Sequence, residues 1–187
     1  MDQERKVRLT AEAEAEARRQ ILQCIYRYAR GIDRHDAEIT RSAYHDDAID
    51  DHGFFIGPAH EFAERANETH AALAAHQHYI LNHLVEFDDE TTASVETYWI
   101  MGARRRADNT GRIGGGRYLD RFELRDGRWA IAERVCVTEW SLDGEQAAFL
   151  AQFYMQGAQD RTDPSYRRPF RGGRPQRNIT PDGYKPR

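Results

Sequence analysis

Four side chains of this sequence have the types and settings to move protons in an enclosed space: Tyr28, Asp33, His78 and Arg134. A neutral imidazole is the commonest general base near neutral pH, and a carboxylate can orient it. A phenol can donate to developing oxyanion charge, and a guanidinium can hold an anionic group or steady a leaving group. Such a set could take a C–H proton acidified by a carbonyl and expel water or another β-substituent, with no redox cofactor. Each residue also has a plainer role. Asp33 could cap the next turn, D-R-H-D-A-E, His78 could be a satisfied core histidine, and Arg134 a strand-face ion-pair partner. Spacing alone does not bring the four together.

Tyr28 and Asp33 lie in I-Y-R-Y-A-R-G-I-D, residues 25–33. Ile21, Ile25, Tyr28, Ala29 and Ile32 recur at intervals of three and four, which predicts a helix with one buried face. Tyr28 is on that face, so its hydroxyl points inward and requires a polar partner. Asp33 follows the last apolar residue and is expected beside the phenol, at the mouth of whatever the helix covers. Further on, H-D-D-A-I-D-D-H raises the question of a metal. Alternation sends Asp50 and His52 to one strand face and Asp51 to the other, so the ligands do not converge. Asp50 or His52 facing a cavity is the better expectation, with Asp46 and Asp47 in turn and cap duties. His76 and His78 share a face at i, i+2 but would need another ligand. No metal is expected.

The elements that must position these residues read as α+β. Helices are predicted over 10–30, 37–44 and 59–75, the last opened by Pro58, with a short strand over 48–56. Long strands follow over 76–87, 92–105, 112–124 and 128–140, with R-D-G as a tight turn. In the first of these, alternation places His78, Ile80, Asn82 and Leu84 on one face. The other face then holds Tyr79, Leu81, His83, Val85 and Phe87. A meander of long, mostly antiparallel strands with helices on one face must curl around them and so enclose a pocket. Gly114-Gly115-Gly116 could let a strand bend, bulge or approach a ligand. A helical stretch is predicted over 145–156.

The 187 residues suit one domain, over 11–156, preceded by a disordered 1–10. Residues 157–187 hold five of the six prolines, and 161–187 has eight Lys or Arg against two Asp. That reads as a basic arm, disordered or packed on a neighbouring subunit. The net charge of −4 gives no nucleic-acid footprint, and no apolar run is long enough to span a membrane. Two distant cysteines and the lack of an apolar N-terminal region predict a cytoplasmic protein with reduced thiols.

Several features occur in a familiar order. They are Tyr-x4-Asp in Y-A-R-G-I-D, the D-D-A segment, the strand start H-Y-I-L-N, and G-G-G-R-Y-L-D-R-F-E-L-R-D-G-R-W followed by Arg134. In this the chain resembles SnoaL-like members of the nuclear transport factor 2-like superfamily. Among these it is similar to scytalone dehydratase, hexachlorocyclohexane dehydrochlorinase and bile-acid 7α-dehydratase. The resemblance implies a cone-like α+β barrel, with N-terminal helices packed into a curved, mostly antiparallel sheet around a deep pocket, in which Asp33 and His78 form an Asp–His dyad and Tyr28 and Arg134 are pocket residues. It further implies that Tyr118 and Cys136 line the pocket, with Trp99 and Trp140 as additional positions, and that the chain forms homo-oligomers, trimers or dimers. The expected activity is a cofactor-independent dehydratase acting on a small hydrophobic cyclic or polycyclic hydroxy-ketone. Alternatives are a ketosteroid-isomerase-type isomerase or cyclase, and a non-catalytic binder or dioxygenase-small-subunit-like protein.

Overall fold

A computed structural model of the chain describes residues 9–142, 154–156, 162, 164–167, 169–170 and 173–178. Helix α1 spans Ala11–Arg34. Thr10 caps it by accepting from the Ala13 amide, and Glu12 and Glu14 complement the positive end of the dipole. The chain leaves α1 through His35 in the left-handed conformation and enters α2, Ala37–Arg41. Asp36 caps α2, accepting from the Ile39 amide at 2.9 Å. The cap of this turn is therefore Asp36, and Asp33 remains within α1, free for another partner.

The strand predicted over 48–56 is two strands. β1, Tyr44–Asp51, and β2, Phe55–Pro58, are antiparallel around a turn at Gly53. Gly53 takes φ 71°, a conformation that suits glycine, and its amide donates to Asp51 Oδ1. Helix α3, Ala59–His70, is shorter than predicted because Leu73 already opens β3, Leu73–Phe87. Then come β4, Thr92–Arg105, β5, Gly111–Arg125, and β6, Arg128–Leu142. Two short strands complete the sheet: β7, Met155–Gln156, and β8, Arg177–Asn178. The helix predicted over 145–156 falls mostly outside the described residues, and its last two residues form β7 instead.

The sheet runs β3-β4-β5-β6-β1-β2-β8, with β7 beside β6. Pairing is antiparallel except for β1 and β7, which lie parallel to β6, so the sheet is mixed. Helix α1 packs against both β3 and β6, which are separated by two strands, so the sheet must curl around the helix. Ile21, Cys24, Ile25, Tyr28 and Ile32 of α1 meet Phe62, Val85, Val95, Phe122, Trp129 and Ile131 in one core. Each such side chain contributes about 1.5–3 kcal/mol on burial. The opposite sheet face carries a smaller core of Leu119, Val135 and Val137, covered by Phe170.

Irregularities in the ladder change which face a residue takes. A shift between Ile80 and His83 in β3 breaks the predicted alternation. Ile80 packs on the main core, and so do Val85 and Phe87, while Leu84 is 54% exposed. Of the residues expected on the face of His78, Leu84 is thus turned outward by the bulge. Where the sequence predicts an arm, the described part of it lies on this chain's own sheet. Phe170 is buried, β8 extends β2, and Arg174 makes two hydrogen bonds to the buried carboxylate of Asp51 at 2.6 and 2.7 Å.

Candidate active site

Asp33, on the last turn of α1, meets His78 on β3. Its Oδ1 is 2.7 Å from His78 Nδ1, and both its oxygens accept from the His78 amide, at 2.9 and 3.1 Å. Two backbone contacts and one ring contact fix the imidazole's orientation and place the proton on Nδ1. Nε2 has no hydrogen-bond partner among the described residues and is the basic nitrogen. The Asp33 and His78 side chains are 12% and 9% exposed, so this pair lies at the more open end of the interior. Three more histidines back it. His76 bonds to the Ile32 carbonyl through Nε2, and His35 and His70 pack their rings on His76. Burial lowers the pKa of His70 and His76, so both rest neutral behind Asp33. Among the described residues no group of side chains has metal-site geometry.

Tyr28 is not the neighbour of Asp33. Five residues along a helix rotate it well away from Asp33, and its hydroxyl lies 3.1 Å from His52 Nε2, deep in the core. Asp50 holds the other nitrogen of that ring through a short contact, and also accepts from the Tyr44 hydroxyl at 2.5 Å. Asp50 and His52 are thus on one side, and Asp51 on the other with Arg174, as alternation predicts. Arg134 of β6 makes a bidentate pair with Asp120 of β5, at 2.7 and 2.6 Å. Its guanidinium is sandwiched between Tyr28 and Tyr118, 4.0 and 4.1 Å from the ring centroids. Burial opposes its charge, but the Asp120 carboxylate outweighs that and holds the group ionised. Burial also pushes Tyr28, Tyr44, Tyr118 and Cys136 well up, so their hydroxyls and thiol stay protonated.

The two groups are joined by aromatic rings. Trp99 lies against His78 and stacks on Tyr118, 5.8 Å between centroids; Tyr118 in turn meets Tyr28 and His52. Cys136 is buried directly across the ladder from Tyr118. The triple glycine makes room for this arrangement. A Cβ on Gly116 would lie 2.9 Å from the Trp99 ring and 2.0 Å from the Val137 carbonyl oxygen. Trp140 stands apart. A register shift at Glu139 sets it over Gly115, on the opposite sheet face from Trp99, and leaves it 41% exposed. Unbroken alternation would have carried it to the inner face with Cys136. Three inner polar atoms, Trp99 Nε1, Thr97 Oγ1 and Arg134 Nη1, are buried with no hydrogen-bond partner among the described residues.

Asp120, Tyr44 and Thr97 are the members of this interior that sequence reasoning misses. Counting back from the D-G turn sets Leu119 opposite Arg134; a one-residue shift between Arg121 and Phe122 brings Asp120 there instead. Asp120 follows Tyr118 by two residues, and that shared face was the signal to read.

The chain matches the SnoaL-like domain over residues 13–135. No curated protein matches it. A candidate scytalone dehydratase from Novosphingobium aromaticivorans superposes with a TM-score of 0.66 at 19% identity, covering 73% of this chain and 93% of that one. The hexachlorocyclohexane dehydrochlorinase LinA-type3 from Novosphingobium barchaimii gives 0.66 at 18% identity, covering 73% and 97%. A protein of unknown function with a cystatin-like fold, from Nostoc punctiforme, gives 0.56 at 18% identity, covering 71% and 96%. At these identities the likeness is one of fold. The family match spans most of the chain and includes every polar residue of the inner site: the protein belongs to the SnoaL-like family and has its nuclear transport factor 2-like α+β cone.

Proposed function

We propose that the protein is a cofactor-independent lyase, a dehydratase that uses Asp33 and His78 to remove a proton and expel water from a hydrophobic cyclic or polycyclic hydroxy-ketone. The observation that carries this reading is the His78 imidazole, held at Nδ1 by Asp33 with Nε2 uncommitted among the described residues. His78 Nε2 takes the C–H proton, and Asp33 stabilises the imidazolium that forms. The electron pair left behind delocalises onto the substrate carbonyl. Trp99 Nε1–H and Arg134 Nη1–H are buried donors with no acceptor among the described residues, so an oxygen gaining negative charge is a partner that suits them. Trp99, Tyr118 and Tyr28 supply the apolar, aromatic surroundings that a ring-shaped substrate would use. The same neighbourhood in the fold holds proteins named as a candidate dehydratase and a dehydrochlorinase, both of which take their names from eliminations.

The test is turnover of a panel of cyclic hydroxy-ketones in deuterated buffer, following water loss and deuterium entry at the acidic carbon. The wild type should lose water, and His78→Ala should lose at least about 10³-fold in kcat/KM. Asp33→Asn should lose about 10²–10⁴-fold through the wrong tautomer. Deuterium entry without water loss would make the protein an isomerase. Binding of panel members with neither event would make it a binding protein.

A further inference from the structure

The geometry points to a second proton-transfer device in the same interior: Tyr28 is the acid that protonates the leaving hydroxyl, and His52, held by Asp50, resupplies its proton. This rests on the lyase reading above and assigns the half of that reaction which Asp33 and His78 do not perform.

Asp50, His52 and Tyr28 form a continuous carboxylate–imidazole–phenol chain. Asp50 is fully buried, with one oxygen on His52 Nδ1 and the other on the Tyr44 hydroxyl, so it is held from two sides. With Nδ1 committed, Nε2 faces the Tyr28 hydroxyl at 3.1 Å. The His52 ring is further fixed by stacking on Phe62, 4.2 Å between centroids and 18° between planes. Burying this many polar groups is unfavourable where an apolar core would serve, so the chain is not explained by packing. His78 cannot reach this end of the interior. Among the described residues the aromatic rings it meets are those of His76 and Trp99, and Trp99 stands between it and Tyr118. A base at one end and an acid at the other suit a substrate whose C–H and C–O bonds lie apart.

The step balances. The substrate proton goes to His78 Nε2, and its C–H pair becomes the new C=C π bond. The C–O bond breaks with its pair on oxygen, and that oxygen takes the Tyr28 proton and departs as water. Tyr28 takes the Nε2 proton of His52, which begins the cycle as imidazolium against Asp50 and ends it neutral. The proton gained by His78 and the one lost by His52 cancel through solvent. No oxidant or reductant is needed.

The experiment uses substrate pairs with one ring skeleton and either hydroxide or chloride as leaving group, since chloride departs without a proton. In His52→Gln and in Tyr28→Phe, kcat/KM for the hydroxyl substrate should fall about 10²–10³-fold. For the chloride it should fall less than about fivefold, while His78-dependent deuterium exchange at the acidic carbon persists. The ratio is taken on one preparation, so a partly unfolded variant does not alter it. Equal losses for both leaving groups would overturn the assignment. If the wild type releases neither water nor chloride, the lyase reading itself fails, and the proton chain is judged without substrate. The His52 ring NMR resonances should then shift on Tyr28→Phe, and resonances indifferent to that change would overturn it.

Discussion

Among the described residues Arg134 is the largest fully buried side chain, and one carboxylate, Asp120, balances its charge. A buried pair of this kind adds little over an apolar pair, because the Coulomb attraction is offset by desolvation of both ions. Removing one partner is different, since the other charge is then stranded. Arg134→Met should lower the unfolding free energy by about 3–5 kcal/mol, and Asp120→Asn by a similar amount. The double variant should lose clearly less than the two together, as a urea-denaturation cycle over the four proteins would measure. Additive losses would show that the residues are not coupled. The tyrosines that sandwich Arg134 give it a second duty. They fix the direction of Nη1, the donor that has no acceptor of its own among the described residues.

At the scale of elements, three register shifts, one in the β3–β4 ladder and two in the β5–β6 ladder, decide which residues face the site. The shift in β3 keeps both Ile80 and Val85 inward, the one near Arg121 sets Asp120 opposite Arg134, and the one at Glu139 turns Trp140 away. Gly116 sits at the tightest point, where β5, β6 and Trp99 converge. Gly116→Ala would force its Cβ against the Val137 carbonyl and the indole, so a stability loss of about 2–4 kcal/mol is expected. Tryptophan fluorescence and thermal unfolding would record it, Trp99 being displaced. Gly102→Ala in β4 is the control. Among the described residues nothing lies within 4 Å of its Cβ position, and the change should stay within about 0.5 kcal/mol.

Over the whole molecule, the described residues after 162 are tied to the sheet by the pairing of β8 with β2 and by two side chains. Phe170 covers Leu119, Val135 and Val137, and Arg174 neutralises Asp51, which is 1% exposed. Asp51 follows Asp50, the carboxylate behind His52, so this contact and the inner site share one strand end. Phe170→Ala should cost about 3 kcal/mol by opening the smaller core. Arg174→Ala should cost about 1–2 kcal/mol, less than for a sealed pair because solvent reaches the guanidinium. Denaturant melts of the full chain check both. Melts unchanged by either substitution would mean that the segment adds nothing to the fold.

The sequence by itself determined the order of the three helices and the four long strands, the buried face of α1, and the side that Asp50 and His52 share. Helical and strand periodicity are local, and side chains obey them before any packing occurs. It also marked Asp33 and His78, by resemblance and by residue type. Which polar groups pair was decided only by the tertiary structure. Tyr28 and Asp33, five residues apart, take different histidines. Asp120 reaches Arg134, and Trp140 leaves the inner face, through one-residue shifts that no periodicity announces. The reason is geometric: a strand's side chains alternate with period two, so a single inserted residue reverses every facing beyond it.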